Sequence, residues 1–286
     1  MNFGTIKMQK AIPYLMIGPA CLLIAIFKVY PIGRTLVEGF VSNRHVGLAT
    51  YQRLFQDQTF WSSLWVTIKM NIVITPLQIL ISLCLAFLVN CNLKGIGIFR
   101  TIYYLPVTIS ITVATLLWNM MFNVNNGIIN SILNAMGIPN QGFFIDKTQA
   151  LWCIVAIANW KGVGYWMMFL LAGLKGIDAT IYESAIMDGA SWLKRTTAIT
   201  LPLIKNTLLF VFVADTTSNM LLFAPMQIVT HGGPQGSTNV LMYEAYKSAF
   251  QFVDRSRSSA IVTILLLMIG TVCVFQFKLL NTKEGN

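Results

Sequence analysis

Within the apolar stretches of this 286-residue sequence, a small set of polar and aromatic side chains could do chemistry. Asp215 lies near the middle of one such stretch, and Asn219, one turn on, shares its face. An acid at that depth costs a few kcal/mol, so it faces a bundle interior or a water-filled cavity rather than lipid. Asn71, Thr75 and Gln78 follow an i, i+4, i+7 pattern that puts them on one inward helical face. Trp152, Asn159 and Trp166 are spaced by seven and share another face, with Trp160 and Lys161 beside it. Indole faces stack on the C–H faces of a sugar ring, while amides and carboxylates take its hydroxyls. The chemistry implied is recognition of a polyhydroxylated solute along a pathway. Each group also has a plainer use: the tryptophans in helix packing and interfacial anchoring, and Asp215 as a structural acid paired with a neighbouring helix or with Lys161.

Nothing in the sequence points to bond-breaking chemistry. Cys21, Cys84, Cys91, Cys153 and Cys273 fall in or beside apolar stretches with no Cys-x-x-Cys spacing, so they read as reduced packing residues, with neither metal nor disulfide implied. His45 reads as an ordinary loop residue. No Gly-x-x-x-x-Gly-Lys-[Ser/Thr] occurs, so the chain has no P-loop to cradle ATP phosphates.

These residues are carried by a strongly apolar chain: 56% of the residues are hydrophobic and 10% charged, with a mean hydropathy of +0.66. That composition is too apolar for a soluble domain and reads as a polytopic membrane protein in the lipid bilayer. The net charge of +10 sits beside apolar spans rather than in a basic patch with interleaved aromatics, so no nucleic acid is expected. The expected fold class is all-α, a single transmembrane domain over residues 1–286. Its spans lie at about 11–32, 61–90, 102–122, 149–171, 206–227 and 258–280, with Pro106 in the first turn of the third. A cleaved signal peptide is the rival reading of the first span, but its length and the lack of a small-x-small site favour an uncleaved helix. Lys69 is expected to snorkel from the outer end of the second.

Six spans put both termini on one side. That side carries Lys7, Lys10, Lys94, Arg100, Lys175, Lys194, Arg195, Lys205, Lys278 and Lys283. The other carries Arg34, Arg44, Arg53, Lys147, Lys247, Arg255 and Arg257 over more residues, so the first side reads as cytoplasmic. A polar island at about 173–205 then lies in the cytoplasm. It reads as helix, turn, helix: Asp178 caps a helix over Ala179–Met187, Gly189 takes positive φ, and Ser191 caps a second helix that stops before Pro202. Such an elbow is large enough to be gripped by another protein.

Glu183-Ser184-Ala185, then Asp188-Gly189-Ala190, then Ile199-Thr-Leu-Pro202-Leu resembles the EAA loop of permease subunits in binding-protein-dependent ABC importers, carbohydrate branch. Ser184 stands where that motif has Ala. A second stretch, Thr230-His-Gly232-Gly233-Pro234 followed by Thr238, Tyr243, Tyr246 and Ala249-Phe250, resembles the external segment of the same permeases, where an amphipathic helix can lie at the outer face. The resemblance implies a type I ABC importer permease fold with a cytoplasmic coupling helix, in a bacterial cytoplasmic membrane. It implies that Glu183, Ser184, Ala185, Asp188, Gly189, Ala190 and Pro202 couple the chain to a separate ATPase. It also implies that Gly232, Gly233, Pro234 and Tyr243 form an external gate or binding-protein contact. The implied partners are a second permease subunit, a cytoplasmic ATPase dimer that uses the ATP and Mg²⁺, and an extracytoplasmic solute-binding protein. The chain itself is expected to be neither an enzyme nor a cofactor binder. Its expected solute is a sugar or oligosaccharide, with glycerol 3-phosphate or another polyol as the alternative; only Lys69 and Lys161 lie within the spans to meet a phosphate. A proton-coupled secondary carrier working through Asp215 and a non-transporting assembly or sensor subunit are the competing classes.

Overall fold

The computed structural model describes the backbone of residues 3–42, 45–91 and 93–281, and the side chains of residues 14–41, 45–91 and 93–278. Arg44, Lys283 and the side chains of Lys7 and Lys10, invoked above for orientation, lie outside the described residues. The chain runs through α1 (Phe3–Ile24), α2 (Tyr30–Glu38), a short ribbon of β1 (Val41–Ser42) and β2 (His45–Val46), α3 (Ala49–Gln56) and α4 (Gln58–Val89). Next come α5 (Ile96–Thr108), α6 (Ile111–Met121), α7 (Ile128–Ala135) and α8 (Ala150–Lys175). The elbow and the C-terminal third comprise α9 (Ala179–Met187), α10 (Trp192–Arg195), α11 (Leu201–Leu203), α12 (Lys205–Met220), α13 (Leu241–Phe250) and α14 (Arg255–Asn281).

Four helical runs are long and apolar enough to cross a membrane alone: Tyr14–Glu38, Gln58–Val89, Ala150–Lys175 and Arg255–Lys278. Two further pairs qualify together, Ile96–Thr108 with Ile111–Met121, bent by 98°, and Trp192–Leu203 with Lys205–Met220, bent by 69°. Counting each bent pair once gives up to six candidate spans among the described residues.

By internal contacts the chain forms two compact units. The first comprises Met1–Asp57 and Ala245–Leu265. Within it Arg257 pairs with Asp57 at 2.6 Å and donates to the Ser248 hydroxyl at 2.6 Å. The second comprises Gln58–Glu244 and Leu266–Asn286, and is built on α4 packed against α8, with α5 and α12 alongside.

The buried face of α4 explains that packing. Ser63, Thr67, Asn71, Thr75, Gln78 and Ser82 recur every three or four residues and are all buried, while apolar side chains such as Ile72, Leu80 and Leu88 are exposed. A helix in lipid gains nothing by hiding its apolar side, so its polar stripe turns inward and bonds to its neighbours. Gln78 donates to the Ala158 carbonyl at 3.3 Å, Ser82 to the Val163 carbonyl at 2.9 Å, and Asn71 to the Thr216 carbonyl at 3.1 Å. Beyond the stripe, Ala86 and Val89 join Trp166, Met167, Leu170, Leu171, Leu174, Ile204 and Val211 in an apolar core. Glycines let the backbones meet: a Cβ on Gly162 would overlap the Gln78 amide, and one on Gly164 the Tyr103 carbonyl.

The structure corrects several expectations. The first helical run does not end near residue 32 but continues to Glu38, closed by the Arg34–Glu38 pair at 2.9 Å. A π-turn at Ala25–Val29 shifts the hydrogen-bond register, with Tyr30 N–H donating to Ala25, and Pro31 then falls in a first turn that needs no N–H. The third span is not one helix over 102–122: it breaks at Ile109–Ser110, and Pro106 stands near the end of α5 rather than in a first turn. The fifth does not run to 227, since α12 ends at Met220. Leu222 N–H turns back to the Asn219 carbonyl, and helix resumes at Ala224 with Pro225 in its first turn, where no N–H is needed, running on through a π-turn at Met226–Thr230.

The Gly164 contact is testable. Gly164→Ala should lower the thermal stability of the purified protein in detergent by about 1–3 kcal/mol through overpacking. Gly270→Ala, whose Cβ would meet open space, should leave it unchanged or raise it by roughly 1 kcal/mol.

Candidate functional site

Two places in the second unit combine exposed or cavity-facing polar groups with defined geometry. The first is a cavity of about 390 Å³ whose polar lining includes Gln78, Lys161, Tyr165, Trp166, Asp215 and Asn219. Asp215 is 1% exposed; its Oδ1 accepts the Trp166 indole N–H at 2.6 Å, and its buried Oδ2 has no hydrogen-bond partner. Asn219 donates to the Thr75 hydroxyl and to Gln78 Oε1, each at 3.3 Å, which ties α12 to the α4 stripe. Lys161 does not pair with Asp215. Its ammonium donates instead to the carbonyls of Val107 at 3.2 Å and Ile109 at 2.6 Å, where the third span breaks.

Four of the eight residues expected along a pathway therefore meet here: Asp215, Asn219, Lys161 and Trp166. Asn71 is consumed between α4 and α12 and borders a separate, largely apolar cavity of about 360 Å³. Asn159 turns back on its own helix, donating to Val155 at 2.9 Å. Trp160 packs edge-on against Trp118, ring centroids 5.8 Å apart, beside another cavity of about 620 Å³. Trp152 is 59% exposed beside Phe122 and Phe143. The expected indole stripe is thus not one surface. A heptad drifts by about 20° on a straight α-helix, and α8 meets different neighbours at its two ends. Gln78 was absent from the expected set, though its i+7 spacing from Asn71 already marked its face. Tyr165 had no such signal.

The second place is the elbow. Asp178 caps α9 by accepting from Thr180 N–H at 3.0 Å, and that bond holds its carboxyl below the usual carboxylate range. α9 ends in a Schellman turn: Ala190 N–H returns to Ala185 and Gly189 N–H to Ile186, both at 2.9 Å, with Gly189 at φ +72°. Ser191 caps α10, accepting from Lys194 N–H at 3.4 Å. The helix beyond does not stop before Pro202 as expected. A π-turn at Thr196–Thr200 carries it through to Leu203, with Leu201 N–H donating five residues back to Thr196. Tyr182 and buried Thr200 bond at 2.9 Å and lock the two arms, while Ala185 is buried and Ile204 enters the α4–α8 core. Glu183, Ser184, Asp188, Gly189 and Pro202 are exposed. So are apolar Met187 (88%), Trp192 and Leu193 (64% each), a rim that a lone soluble surface seldom shows.

The motif at residues 230–250 begins with a tight turn held by side-chain hydrogen bonds. Gly232 takes φ +80° and a Cβ there would press on Asn239 and Tyr243 at 3.1 Å. Gly233 accepts from Thr238 Oγ1 at 2.7 Å, ahead of Pro234, and Thr238 also meets Thr230 at 2.7 Å. The loop docks on the α4 stripe: Asn239 donates to Ser63 at 2.8 Å, and Leu241 N–H to Thr67 at 2.8 Å. At the start of α13 the chain turns inward. Leu241, Tyr243 and Glu244 on it are buried, because its first N–H is held by Thr67 from α4. Lys69 lies over the Trp65 ring, 5.5 Å from its centroid.

Residues 78–283 match the family described as the inner membrane component of binding-protein-dependent transport systems. The chain is 31% identical over 283 residues to the permease protein UgpA of the sn-glycerol-3-phosphate transport system of Escherichia coli O157:H7, covering 96% of each. It is 33% identical over 268 residues to a probable ABC transporter permease protein of Pyrococcus horikoshii, covering 90% of this chain and 92% of that one. Among solved structures, the bacterial ABC transporter that imports the acidic polysaccharide alginate superposes with a TM-score of 0.88 at 20% identity, over the full length of both chains.

Protonating the Asp178 cap should loosen the elbow. A depressed carboxyl contributes its stabilisation above the unfolded value of about 3.9, and that contribution drains as pH falls through the lower folded value. Asp178→Ala should speed amide exchange at Thr180 and Ile181 at neutral pH, and Asp178→Asn should restore most of the protection.

Proposed function

This chain belongs to the family of inner membrane components of binding-protein-dependent transport systems, and from that premise we propose that it passes a sugar or oligosaccharide inward through the cavity beside Asp215. It is the permease of an ABC importer and not an enzyme. The observation that carries the sugar reading is the cavity lining: a carboxylate oxygen without a partner, two amides and a buried indole, with no arginine among the lining residues. The Trp166 indole and the amides hold the carboxylate and one another in place, while the half-exposed Tyr165 beside them offers a hydroxylated ring both a hydroxyl and an aromatic face. A phosphate calls for several converging guanidinium or ammonium groups, and the lining offers a single one, Lys161, two of whose three donors hold backbone carbonyls. Glycerol 3-phosphate remains the second reading because relatives are named for it.

In this reading residues 1–286 act as one permease domain beside a second, homologous permease subunit, with both termini in the cytoplasm of a bacterium. The elbow docks in a cytoplasmic ATPase dimer that holds ATP and Mg²⁺. Glu183, Ser184, Asp188 and Gly189 supply the exposed contact, Met187 and Trp192 its apolar rim, and the Tyr182–Thr200 bond transmits displacement to α12. Gly232, Gly233 and Pro234, with buried Tyr243 behind them, form the outer gate against which the extracytoplasmic solute-binding protein delivers its cargo. The rigid route from elbow to cavity is short, since α12 carries both Lys205 and Asp215.

Space around Gly189 separates strain from docking. A Cβ there meets nothing within 4 Å in this chain, so the penalty for any L-residue is the left-handed φ alone, about 1–2 kcal/mol. Gly189→Ala should therefore keep ATP-driven uptake within a few-fold of normal, whereas Gly189→Leu should abolish coupled uptake while the protein still inserts. Glu183→Lys should reduce co-purification of the ATPase. Normal uptake by Gly189→Leu would remove the elbow from the mechanism.

A further inference from the structure

The break between α5 and α6 leaves carbonyls that a continuous helix would have used. Three of them are accounted for locally. Leu105 accepts from the Thr108 hydroxyl at 2.7 Å, Pro106 from Ile109 N–H at 3.4 Å, and Ser110 from Ala114 N–H at 3.0 Å. The carbonyls of Val107 and Ile109, on either side of the bend, instead receive hydrogen bonds from a different helix, through the Lys161 ammonium of α8. One turn of α8 further on, Gly164 brings the same two helices into backbone contact at Tyr103. Val107 and Ile111 flank the break and both line the Asp215 cavity, so the 98° bend shapes one wall of it.

We propose that Lys161 is a positioning residue for transport: by clasping the Val107 and Ile109 carbonyls it sets the angle of the broken span and so the shape of the cavity wall. The charge is suited to this task because one ammonium offers three donors and can satisfy two diverging carbonyls at once. The neighbouring residues fit the same purpose. Ser110 caps α6 by accepting from Val113 N–H at 3.2 Å, which starts the new helix in a direction the clasp then fixes. Asp215, the nearby acid, takes its hydrogen bond from Trp166 and leaves the ammonium to the break. Lys161 in this account need not touch solute, so the inference stands apart from the identity of the solute.

The test reads the bend itself. In the assembled transporter with native cysteines replaced, spin labels at Ile98→Cys on α5 and Met120→Cys on α6, both largely exposed, report the angle as a distance distribution. Wild type and Lys161→Arg, which keeps the donors, should give one narrow distribution. Lys161→Met, of similar length with no donor, should give a broad or displaced one. Uptake should fall about tenfold or more in Lys161→Met, and Lys161→Arg should recover most of it. If Lys161→Met does not assemble, Lys161→Gln, which keeps an amide donor, takes its place and should give an intermediate width. An unchanged distribution in the Met or Gln variant, or an Arg variant as broad as Met, overturns the proposal.

Discussion

The buried polar stripe of α4 is the interaction on which the rest depends. In lipid there is no hydrophobic gain from packing one apolar helix on another, so specificity must come from close backbone approach and from hydrogen bonds made inward. Ser63 and Thr67 at one end hold the external loop through Asn239 and Leu241, and Ser82 at the other reaches α8 through Val163. Between them Asn71, Thr75 and Gln78 reach α12 through Thr216 and Asn219. Each such bond is worth only about 0.6–2 kcal/mol, yet together they fix the register of three elements against one rod. The cavity beside Asp215 exists because Gln78, Asn219 and Trp166 are held by that register.

Broken helices arise from the same constraint. A span is interrupted most readily where its freed backbone groups find partners in protein, and the interruptions here have such partners. The third span is held open by Lys161. The elbow passes into α12 through a π-turn and the Ile204 bend, with Tyr182 and Thr200 bracing it. These breaks lie close to the cavity or to the elbow, while the longest unbroken rod, α4, bears the stripe. Such a division suits an alternating-access transporter, in which jointed helices move against a stiff one.

Much of this was legible in the sequence, and the failures have physical causes. The elbow was legible residue by residue, because caps and a left-handed glycine are local signals: Asp178, Gly189 and Ser191 occupy the conformations their types favour. The inward face of Asn71, Thr75 and Gln78 came from helical spacing alone. The break at Ile109–Ser110 did not, since an apolar run reads as one span and the partner that permits the bend, Lys161, is over fifty residues away. The continuation through Pro31 and Pro202 was hidden for another reason: a π-turn before each proline absorbs the missing donor, and nothing in residue type announces a π-turn. The tryptophan stripe misled because sequence spacing defines a face but not which neighbour covers it at each level.

The central claim is that this chain moves a sugar-class solute using work received from a separate ATPase. Reconstituting it in vesicles with the proposed partners, a second permease, an ATPase and a binding protein, and measuring entry of labelled sugar with ATP on the ATPase side, tests that directly. Accumulation should require ATP hydrolysis and the loaded binding protein, and should persist when a protonophore collapses any proton gradient. Accumulation without ATP that a protonophore abolishes would contradict the account and return Asp215 to a proton-coupled carrier.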